Sequence, residues 1–365
     1  MKKIIILSLY PQGLVPGPRF RYEQYIDFLR ARFIVRMLSF FNQDDYRKIH
    51  TDGNSWILLA SLIKGYLWTI YHVLQCLNTD FVFIYRDVTP FGPPIAEWFI
   101  AKVLRKKIIY DFDDAVWLTD LSPKEKFKIW LRNPPKTDQI ISWSHKISCG
   151  NRYLCDHARI FNSKVVLNPT TIDTANLHNR VKDQFTERTV IGWTGSHSTL
   201  KYLDHIVPVI AKLEKEFDFD FIVICNKNPE YSLQSFLFKT WNKKTEIEDL
   251  LTFNIGLMPL PDDEWSKGKC GFKALQYMAL GMPALVSPVG VNADIIQNGI
   301  NGFFCESFQD WEKYIRLLLL DPQLRVTMGE QAIETVKRHY SLLSNKDNFL
   351  SLFDEQLTTN SSRDA

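Results

Sequence analysis

Short apolar runs alternate with longer amphipathic segments twice along the chain, and this repetition constrains the fold more than any other feature. Between helical patterns, the first series holds candidate strands near 3–9, 34–38, 81–85, 107–111, 146–148 and 165–167. A polar segment follows, and a second series begins at residue 189. Alternation of strand and helix is typical of a parallel sheet covered by helices on both faces. The sequence therefore predicts two doubly wound α/β domains.

Changes in composition give the predicted boundaries. Residues 1–168 form the first domain, and residues 169–188, which are polar and rich in charge, are predicted to be a linker. The second domain covers 189–340, and residues 341–365 are predicted to form a helix and tail that pack back on the first domain. Ligands of doubly wound domains bind beyond the carboxyl ends of the strands. We therefore expect a site in a cleft where the two domains face each other.

Composition and charge exclude several functional classes. The chain has 365 residues, 45% of them hydrophobic and 23% charged, which argues against a disordered or coiled-coil protein. Its 44 basic and 41 acidic side chains leave a formal net charge of +3, too small to indicate nucleic-acid binding. The six cysteines lack the spacing of zinc ligands, so we expect buried thiols in a reducing cytosol.

One apolar stretch, 56–77, is long enough to span a bilayer. It contains Lys64, Gly65, His72 and Gln75, and its polar positions recur at helical spacing. This pattern predicts an amphipathic helix packed on a cytoplasmic protein. The alternative is a helix that docks the protein peripherally on the cytoplasmic face of the membrane.

A Gly- and Lys-rich loop leads into a short helix and provides the strongest chemical signal. Lys267, Lys269 and Lys273 surround the predicted start of that helix at Gly271 and Phe272. The first turn of a helix attracts anions, commonly phosphate, and disfavours cations. Three lysines at such a position therefore indicate a bound polyanion, and a solvated basic loop remains the alternative.

The same segment carries a family resemblance. Tyr277 to Pro283 resembles the end of the donor-binding helix of family 4 glycosyltransferases, which have the two-domain GT-B fold. Five further segments resemble the family in the same order along the chain: 16–22, 166–169, 190–196, 287–290 and 298–303. The resemblance is weaker in the first half of the chain.

This resemblance implies a specific reaction. A nucleotide-sugar would bind the second domain as a substrate, with no cofactor, and its sugar would pass to a cell-envelope polysaccharide or a lipid-linked acceptor. Retention of anomeric configuration without a metal ion is implied as well. The donor- and phosphate-binding residues that it implies are Gly195, Lys201, Lys269, Gly271, Phe272, Lys273 and Gln276.

Three positions depart from the family pattern. Gln276 stands where the family has a glutamate that accepts hydrogen bonds from the ribose, and an amide offers only one acceptor oxygen. Gly268 replaces the other acidic residue, for which Glu264 is a nearby candidate substitute. His197, with Lys201, stands where the family often places an arginine and a lysine for the diphosphate.

The candidate catalytic residues, Asp113 and Asp114, follow an apolar run that ends in Asp111. They match a His-Asp pair of the family, with Asp113 in place of the histidine. An acid at this position can stabilise developing positive charge or orient an acceptor hydroxyl. Helix capping by Asp114 is the structural alternative. The D-x-D pattern of Asp111 and Asp113 also occurs in metal sites, but we predict no metal here.

Two arginines after the first strand, Arg19 and Arg21, are candidate phosphate contacts, and a solvated first helical turn is the alternative. Glu97 stands at a helix start, where an acid is favourable by itself, so we predict a structural role for it.

Two other functions remain open from the sequence. A nucleotide-sugar epimerase can have the same fold but needs acid/base groups on both faces of the sugar. A catalytically inactive nucleotide-sugar-binding module would fit the replacements at Gln276 and Gly268.

Overall fold

The computed structural model describes residues 1–52, 55–118 and 125–354, which form two compact units. Met1–Pro169 and the segment from Asn345 make the first unit, and Thr170–Ser344 makes the second. Each unit contains a six-stranded parallel sheet with helices on it. The predicted α/β class with two doubly wound domains is therefore confirmed.

The sheet of the first unit has the order β2-β1-β3-β4-β5-β6. Its strands are β1 (Lys3–Ser8), β2 (Ile34–Ser39), β3 (Phe81–Tyr85), β4 (Lys107–Phe112), β5 (Lys146–Cys149) and β6 (Val165–Leu167). The chain moves outward from β1 to β2 and then returns to β3 on the other side of β1. The carboxyl ends of β1 and β3 therefore flank a switch point, where doubly wound folds bind ligands.

Eight α-helices cover the described part of this unit before residue 170. They are α1 (Pro16–Arg21), α2 (Ile26–Arg30), α3 (Gln43–Asp52), α4 (Ser55–Gln75), α5 (Ile95–Trp98), α6 (Lys126–Arg132), α7 (Lys136–Trp143) and α8 (Arg152–Arg159). A 3₁₀ turn, Cys76–Asn78, extends α4, and a π-helical turn, Phe99–Val103, extends α5.

The second unit has the sheet order β12-β11-β10-β7-β8-β9, with its switch point between β7 and β10. The strands are β7 (Thr189–Thr194), β8 (Phe219–Cys225), β9 (Phe236–Thr240), β10 (Ile255–Met258), β11 (Ala284–Val286) and β12 (Gly302–Phe304). The helices are α9 (Val207–Leu213), α10 (Glu246–Leu250), α11 (Glu264–Lys267), α12 (Phe272–Ala279), α13 (Asn292–Ile295), α14 (Phe308–Leu320) and α15 (Pro322–Thr335).

The polar segment 170–188 packs on the second unit. His178 and Gln184 are each only 2% exposed. Gln184 Nε2 donates to the Gly281 carbonyl at 3.1 Å, and Arg325 Nε donates to Gln184 Oε1 at 3.1 Å. The segment that was predicted as a linker therefore contributes buried side chains to the second unit.

The C-terminal helix α16 (Lys346–Ser351) packs on the first unit. Phe349 stacks on Tyr25 with ring centroids 4.2 Å apart. Lys146 Nζ donates to the carbonyls of Ser351 and Asp354 at 2.8 and 2.9 Å. Residues 355–365 of the predicted tail lie outside the described residues.

Helix α4 forms as the sequence predicted, but it packs on the protein through its small and polar face and exposes its apolar face. Its buried face consists mainly of small or polar side chains, including Ser61, Gly65 and Thr69, whereas Leu67 and Ile70 are 64% and 62% exposed. A Cβ on Gly65 would lie 2.3 Å from the Phe40 ring, so the glycine admits that ring. Polar residues do recur at helical spacing, but they mark the face that packs on the protein.

Candidate functional site

Tyr277 fixes helix α12 at the switch point of the second unit. Its hydroxyl accepts a hydrogen bond from the Thr194 amide at 3.1 Å and donates to the Leu257 carbonyl at 3.3 Å. Thr194 ends β7, and Leu257 lies in the neighbouring strand β10. Burial raises the pKa of Tyr277, so the hydroxyl keeps the proton that it donates. The predicted phosphate-binding helix therefore starts at the edge where such sheets bind ligands.

The residue before α12 must be glycine for two reasons. Gly271 has φ +67°, which side chains rarely adopt, and a Cβ there would lie 2.2 Å from Ile295 Cδ1. Phe272 then begins a helix that, in the described structure, has no side-chain cap and no acid in its first turn. Backbone N–H groups and the helix dipole at such an N-terminus favour an anion.

Lys273, in the first turn of α12, lies against Gly195, which follows β7. A Cβ on Gly195 would lie 2.9 Å from Lys273 Cε and 2.4 Å from the Trp193 ring. Lys273 Nζ lies 5.5 Å from the centroid of that ring, within cation–π distance. The structure thus brings together two residues that the sequence predicted for the same phosphate site, 78 positions apart.

The other two lysines of the loop differ in their surroundings. Lys269 is half-buried, and its Nζ lies 4.9 Å from the Trp265 ring centroid. Lys267 Nζ forms ion pairs with Glu264 at 2.9 Å and Asp262 at 3.6 Å. Glu264, the candidate for a missing acid, is therefore an exposed partner of Lys267.

Gln276 is 5% exposed, and its Nε2 lies 3.5 Å from Nε2 of His178. The imidazole comes from the segment that was predicted as a linker. The position that binds ribose in the resembling family therefore holds an amide beside a buried histidine.

His197 follows β7 and lies beside Asn226, which follows β8. The His197 amide donates to Asn226 Oδ1 at 2.9 Å, and the His197 Nδ1 atom lies 3.2 Å from Asn226 Nδ2. Lys201 lies farther along the 3₁₀ helix His197–His205, exposed, with Nζ 5.5 Å from the Tyr202 ring centroid. The described contacts bring His197, and not Lys201, to the strand ends.

In the first unit, Asp113 is held by two side chains from the end of β3. Its Oδ1 accepts hydrogen bonds from the Tyr85 hydroxyl at 2.9 Å and from Arg86 Nε at 2.8 Å. Burial raises the pKa of Tyr85, so the phenol remains a donor. The Asp113 side chain is 13% exposed. The candidate catalytic carboxylate therefore has a fixed orientation at the carboxyl edge of the sheet.

Arg86 links both candidate acids. It pairs with Asp113 and with Asp114, and its own amide donates to the Asp111 carbonyl at 2.8 Å. Its φ of +59° is uncommon for a non-glycine residue and marks a constrained position. Burial disfavours the charged guanidinium, but Asp113, Tyr85 and Asp114 outweigh this effect and the pKa of Arg86 is raised.

The first turn of α1, which follows β1 in the chain, passes over the same cluster. A Cβ on Gly17 would lie 2.3 Å from the Tyr85 hydroxyl and 3.8 Å from Asp113 Oδ2. Only a residue without a side chain allows this approach. Tyr85, Arg86, Asp113, Asp114 and Gly17 therefore form one group at the switch point of the first unit.

The prediction that Arg21 contacts phosphate is corrected by the structure. The side chains of Arg21 and Asp111 are completely buried and pair with each other, and Arg21 Nη1 donates to the Asn168 carbonyl at 2.5 Å. A buried carboxylate needs such a counter-charge. Arg19 is half-buried, with its Cζ 5.1 Å from the Phe20 ring centroid.

Sequence reasoning missed Tyr85, Arg86, Trp193 and His178. Tyr85 and Trp193 end apolar runs, so the sequence indicated only strand residues there. Arg86 lies outside every segment that resembles the family. His178 has no local signal because only the fold brings it to Gln276. A polar residue directly after a buried strand, as at Arg86, is the one signal that was present.

All six cysteines are buried, and none forms a disulfide. Within residues 1–52, 55–118 and 125–354, no group of three or more His, Cys, Asp or Glu residues is placed to hold a metal ion. Both acids of the D-x-D pattern, Asp111 and Asp113, are paired with arginines.

Part of the chain matches a known family. Residues 260–335, which include α11 and α12, match the family described as "Glycosyl transferases group 1". No curated protein matches the chain.

Solved structures share the fold at low sequence identity. HepE from Anabaena, in complex with UDP and glucose, has a TM-score of 0.69 at 11% identity over 97% of this chain and 99% of that chain. Sucrose-phosphate synthase from Thermosynechococcus elongatus has a TM-score of 0.66 at 10% identity, over 96% of this chain and 98% of that chain. The lipopolysaccharide outer core galactosyltransferase WaaB in its apo form has a TM-score of 0.64 at 12% identity, over 96% of this chain and 99% of that chain. The chain therefore has the two-domain α/β fold known as GT-B.

Proposed function

We propose that this protein is a glycosyltransferase that moves a sugar from a nucleotide-sugar to a cell-envelope polysaccharide or lipid-linked acceptor. The observation that carries the proposal is the contact between Lys273 and Gly195 at the start of α12. It joins a cation, a helix N-terminus and a glycine turn at the switch point, within a unit whose residues 260–335 match the glycosyltransferase family.

The donor diphosphate would bind at Gly271 and Phe272, with Lys273 and Lys269 as counter-charges. When the bond from the anomeric carbon to the diphosphate oxygen breaks, negative charge develops on the leaving phosphate. Preorganised amides and cations stabilise that charge without reorganisation, which is usually the largest contribution to such catalysis. UDP is the first nucleotide to test because HepE, which shares the fold, is in complex with UDP and glucose.

Asp113 and Asp114 are the proposed catalytic acids of the first unit. Tyr85 and Arg86 fix the Asp113 carboxylate, so it is oriented before any ligand binds. A carboxylate in this state orients an acceptor hydroxyl by accepting its proton in a hydrogen bond, which strengthens as the oxygen attacks the sugar.

Retention and independence of metal are proposed from the resemblance to family 4. The ion pairs of Asp111 and Asp113 with arginines support independence of metal, because a carboxylate already paired with a cation attracts a hard metal ion less strongly. Transfer that persists in EDTA, with a product of the donor's anomeric configuration by NMR, is the expected result.

The first experiment is the thermal stability of the full chain against a panel of nucleotides and nucleotide-sugars. A ligand at 100 times its dissociation constant stabilises the folded protein by about 2.7 kcal/mol. We expect UDP or a UDP-sugar to raise the melting temperature and an equal concentration of uridine to leave it unchanged. If no nucleotide raises it, the donor site is wrong. Donor binding without transfer to envelope lipids or polysaccharide would instead indicate an inactive binding module.

A further inference from the structure

The outer face of α4 is apolar along its whole length. Exposed fractions include 78% for Trp56, 55% for Ile63, 64% for Leu67, 62% for Ile70 and 52% for Leu74. A surface helix of a water-soluble domain normally turns such residues inward. The most apolar 18-residue stretch within Ser55–Asn78 has a mean hydropathy of 1.4, and only 28% of that stretch is buried. An exposed apolar surface of this kind marks an interaction site.

Exposed apolar side chains also occur on two helices that are linked to α4. The helix packs against α5, and its Tyr66 hydroxyl donates to the Phe91 carbonyl at 2.8 Å. The next residue, Gly92, donates its amide to the carbonyl of Leu131 in α6 at 2.8 Å. These two neighbouring helices add large exposed side chains, namely Ile95 and Trp98 from α5 and Phe127 and Trp130 from α6.

A row of basic residues lies at the C-terminal end of α4. The first residues of β2, β1, β3 and β4 share one edge of the sheet, because these strands are parallel and neighbouring. Lys2, Arg32 and Lys106 immediately precede or lie near the start of those strands. Lys106 Nζ donates to the carbonyls of Leu77 and Thr79 at 2.8 and 3.1 Å, which ties this edge to the end of α4.

We refer to this edge as the basic row and define it by six residues: Lys2, Lys3, Arg32, Arg36, Lys106 and Lys107. Between it and α4 lies a cavity of about 390 Å³, lined in part by Lys3, Arg36 and Gln75. Asp80 also lies at this edge, where its carboxylate accepts a hydrogen bond from the Lys3 amide at 2.7 Å. The basic row places six cationic side chains beside the apolar face.

Helix α4 is attached to the first unit along its length. Near its middle, Gly65 admits the Phe40 ring, and Lys64 pairs with Asp45 of α3 at 2.9 Å. Near its end, Gln75 Oε1 accepts from Arg36 Nη1 at 3.2 Å. A helix held in this way presents one face to its surroundings.

We propose that the exposed face of α4, with the basic row beside it, binds the surface of an anionic lipid bilayer, with α4 lying in the plane of the interface. Apolar and aromatic side chains on one face enter the boundary between headgroups and acyl chains. Lysines and arginines beside them attract anionic headgroups. The charge favours lipid over a second copy of the chain, because an anionic bilayer supplies the counter-charge for the basic row, whereas a second copy brings the same basic row again. Lipid binding does not depend on the proposed sugar transfer.

The first test is flotation of the full chain with vesicles. We expect binding to phosphatidylcholine vesicles that contain about one third phosphatidylglycerol, with weaker binding at high salt because salt screens charge. Binding to neither these nor pure phosphatidylcholine vesicles overturns the proposal. Nucleotide binding by the same preparation is measured separately, so loss of one property leaves the other interpretable.

Two pairs of variants separate the apolar and charged contributions. Leu67→Glu together with Ile70→Glu is expected to weaken vesicle binding at least tenfold, whereas Leu320→Glu, at a residue 65% exposed on α14, leaves it unchanged. Removing the two charges of Lys2 and Arg32 with glutamine should weaken binding to anionic vesicles about fivefold per charge. The same change at Lys243 and Lys244, an exposed pair of the second unit, is the control.

A labelling experiment covers the case in which the glutamate variants fail to fold. All six native cysteines are buried, so a cysteine introduced by Ile63→Cys or Leu74→Cys can be labelled selectively with an environment-sensitive fluorophore. These positions lie about 16 Å apart along the helix axis. Both labels should move to an apolar environment at the same shallow depth, as measured by quenching with brominated lipids, while a label from Leu320→Cys should not.

Three results would contradict the proposal. Labels at very different depths would show a helix that crosses the bilayer. Equal vesicle binding by the glutamate variant and the wild type would place the lipid contact elsewhere. A dimer in lipid-free solution that Leu67→Glu dissociates, without vesicle binding by the wild type, would identify the surface as a protein–protein interface.

Discussion

The side chain of Lys273 passes so close to Gly195 that a methyl group on the glycine would stand 2.9 Å from Lys273 Cε. The contact joins the turn after β7 to the first turn of α12. The glycine therefore does more than permit a turn, because it leaves room for the lysine to cross the position where we place the donor diphosphate.

Lys273→Ala should weaken UDP binding by about 1.5–3 kcal/mol, the range for a hydrogen bond to a charged group. Gly195→Ala should weaken it as well by displacing the lysine, and the double variant should lose less than the sum of the two single effects. Calorimetric titration measures all three. Lys244→Ala is the matched control, and strictly additive losses would show that the two residues act independently.

Gln276 is expected to contact the ribose of the nucleotide beside His178. If so, wild-type protein should bind UDP more tightly than 2′-deoxy-UDP or 3′-deoxy-UDP, and Gln276→Ala should reduce that preference by about 0.5–1.5 kcal/mol. The ratio of the affinities is the readout, because a general distortion would weaken all three ligands equally. An unchanged ratio contradicts the ribose contact.

Asp113→Asn should lower transfer about 100-fold or more, since the amide keeps the acceptor oxygen for Tyr85 and Arg86 but loses the negative charge. UDP affinity should stay at the wild-type value because the residue belongs to the other unit. Nucleotide release in the presence of acceptor is the measurement. Asp44→Asn, at an exposed acid of α3, serves as the control. Full activity in Asp113→Asn would remove this residue from the catalytic site.

Arg21→Met should destabilise the first unit by about 3–5 kcal/mol, because it leaves the Asp111 carboxylate buried without its counter-charge. Arg19→Met should change stability by less than about 1 kcal/mol. Denaturant unfolding compares the two variants, and UDP affinity should be unchanged in the folded Arg21→Met protein. Equal stability of both variants would contradict the buried ion pair.

Glu97 predicts a dependence of stability on pH. It is 1% exposed, its Oε1 accepts from the Val88 amide at 3.0 Å, and burial raises its pKa above the ordinary value of 4.5. The folded state then holds the proton more tightly than the unfolded state, so this group's contribution falls as pH rises from about 4.5 through the raised pKa. At a pH above the raised pKa, Glu97→Gln should be more stable than the wild type, and this difference in stability should disappear in acid. Unfolding by denaturant at several pH values measures it. A difference that does not depend on pH would contradict a raised pKa of Glu97.

The two sheets followed from the sequence because strand burial is a local property. Apolar runs such as the one in β1 or β4 are long and continuous, and a parallel strand is covered on both faces. The glycine and lysine of α12 were also predictable, since turns and helix starts depend on residues that are adjacent in the chain.

The partners of polar side chains were decided only by tertiary structure. Arg21 was predicted as a candidate phosphate contact, but the fold placed Asp111, 90 residues away, against it. His178 reached Gln276 from a segment whose composition is that of a linker. Neither contact can be predicted from local spacing, because each joins residues about 90 or more positions apart in the sequence.

For α4, the sequence alone determined a helix with apolar and polar faces, and the tertiary structure decided which face is buried. Periodicity fixes only the angle between the two faces, and it carries no information about what lies beside each. Phe40 needs a neighbour without a side chain, and Gly65 supplies one on the polar face. Close packing against that ring turned the small residues inward and left Leu67 and Ile70 facing outward.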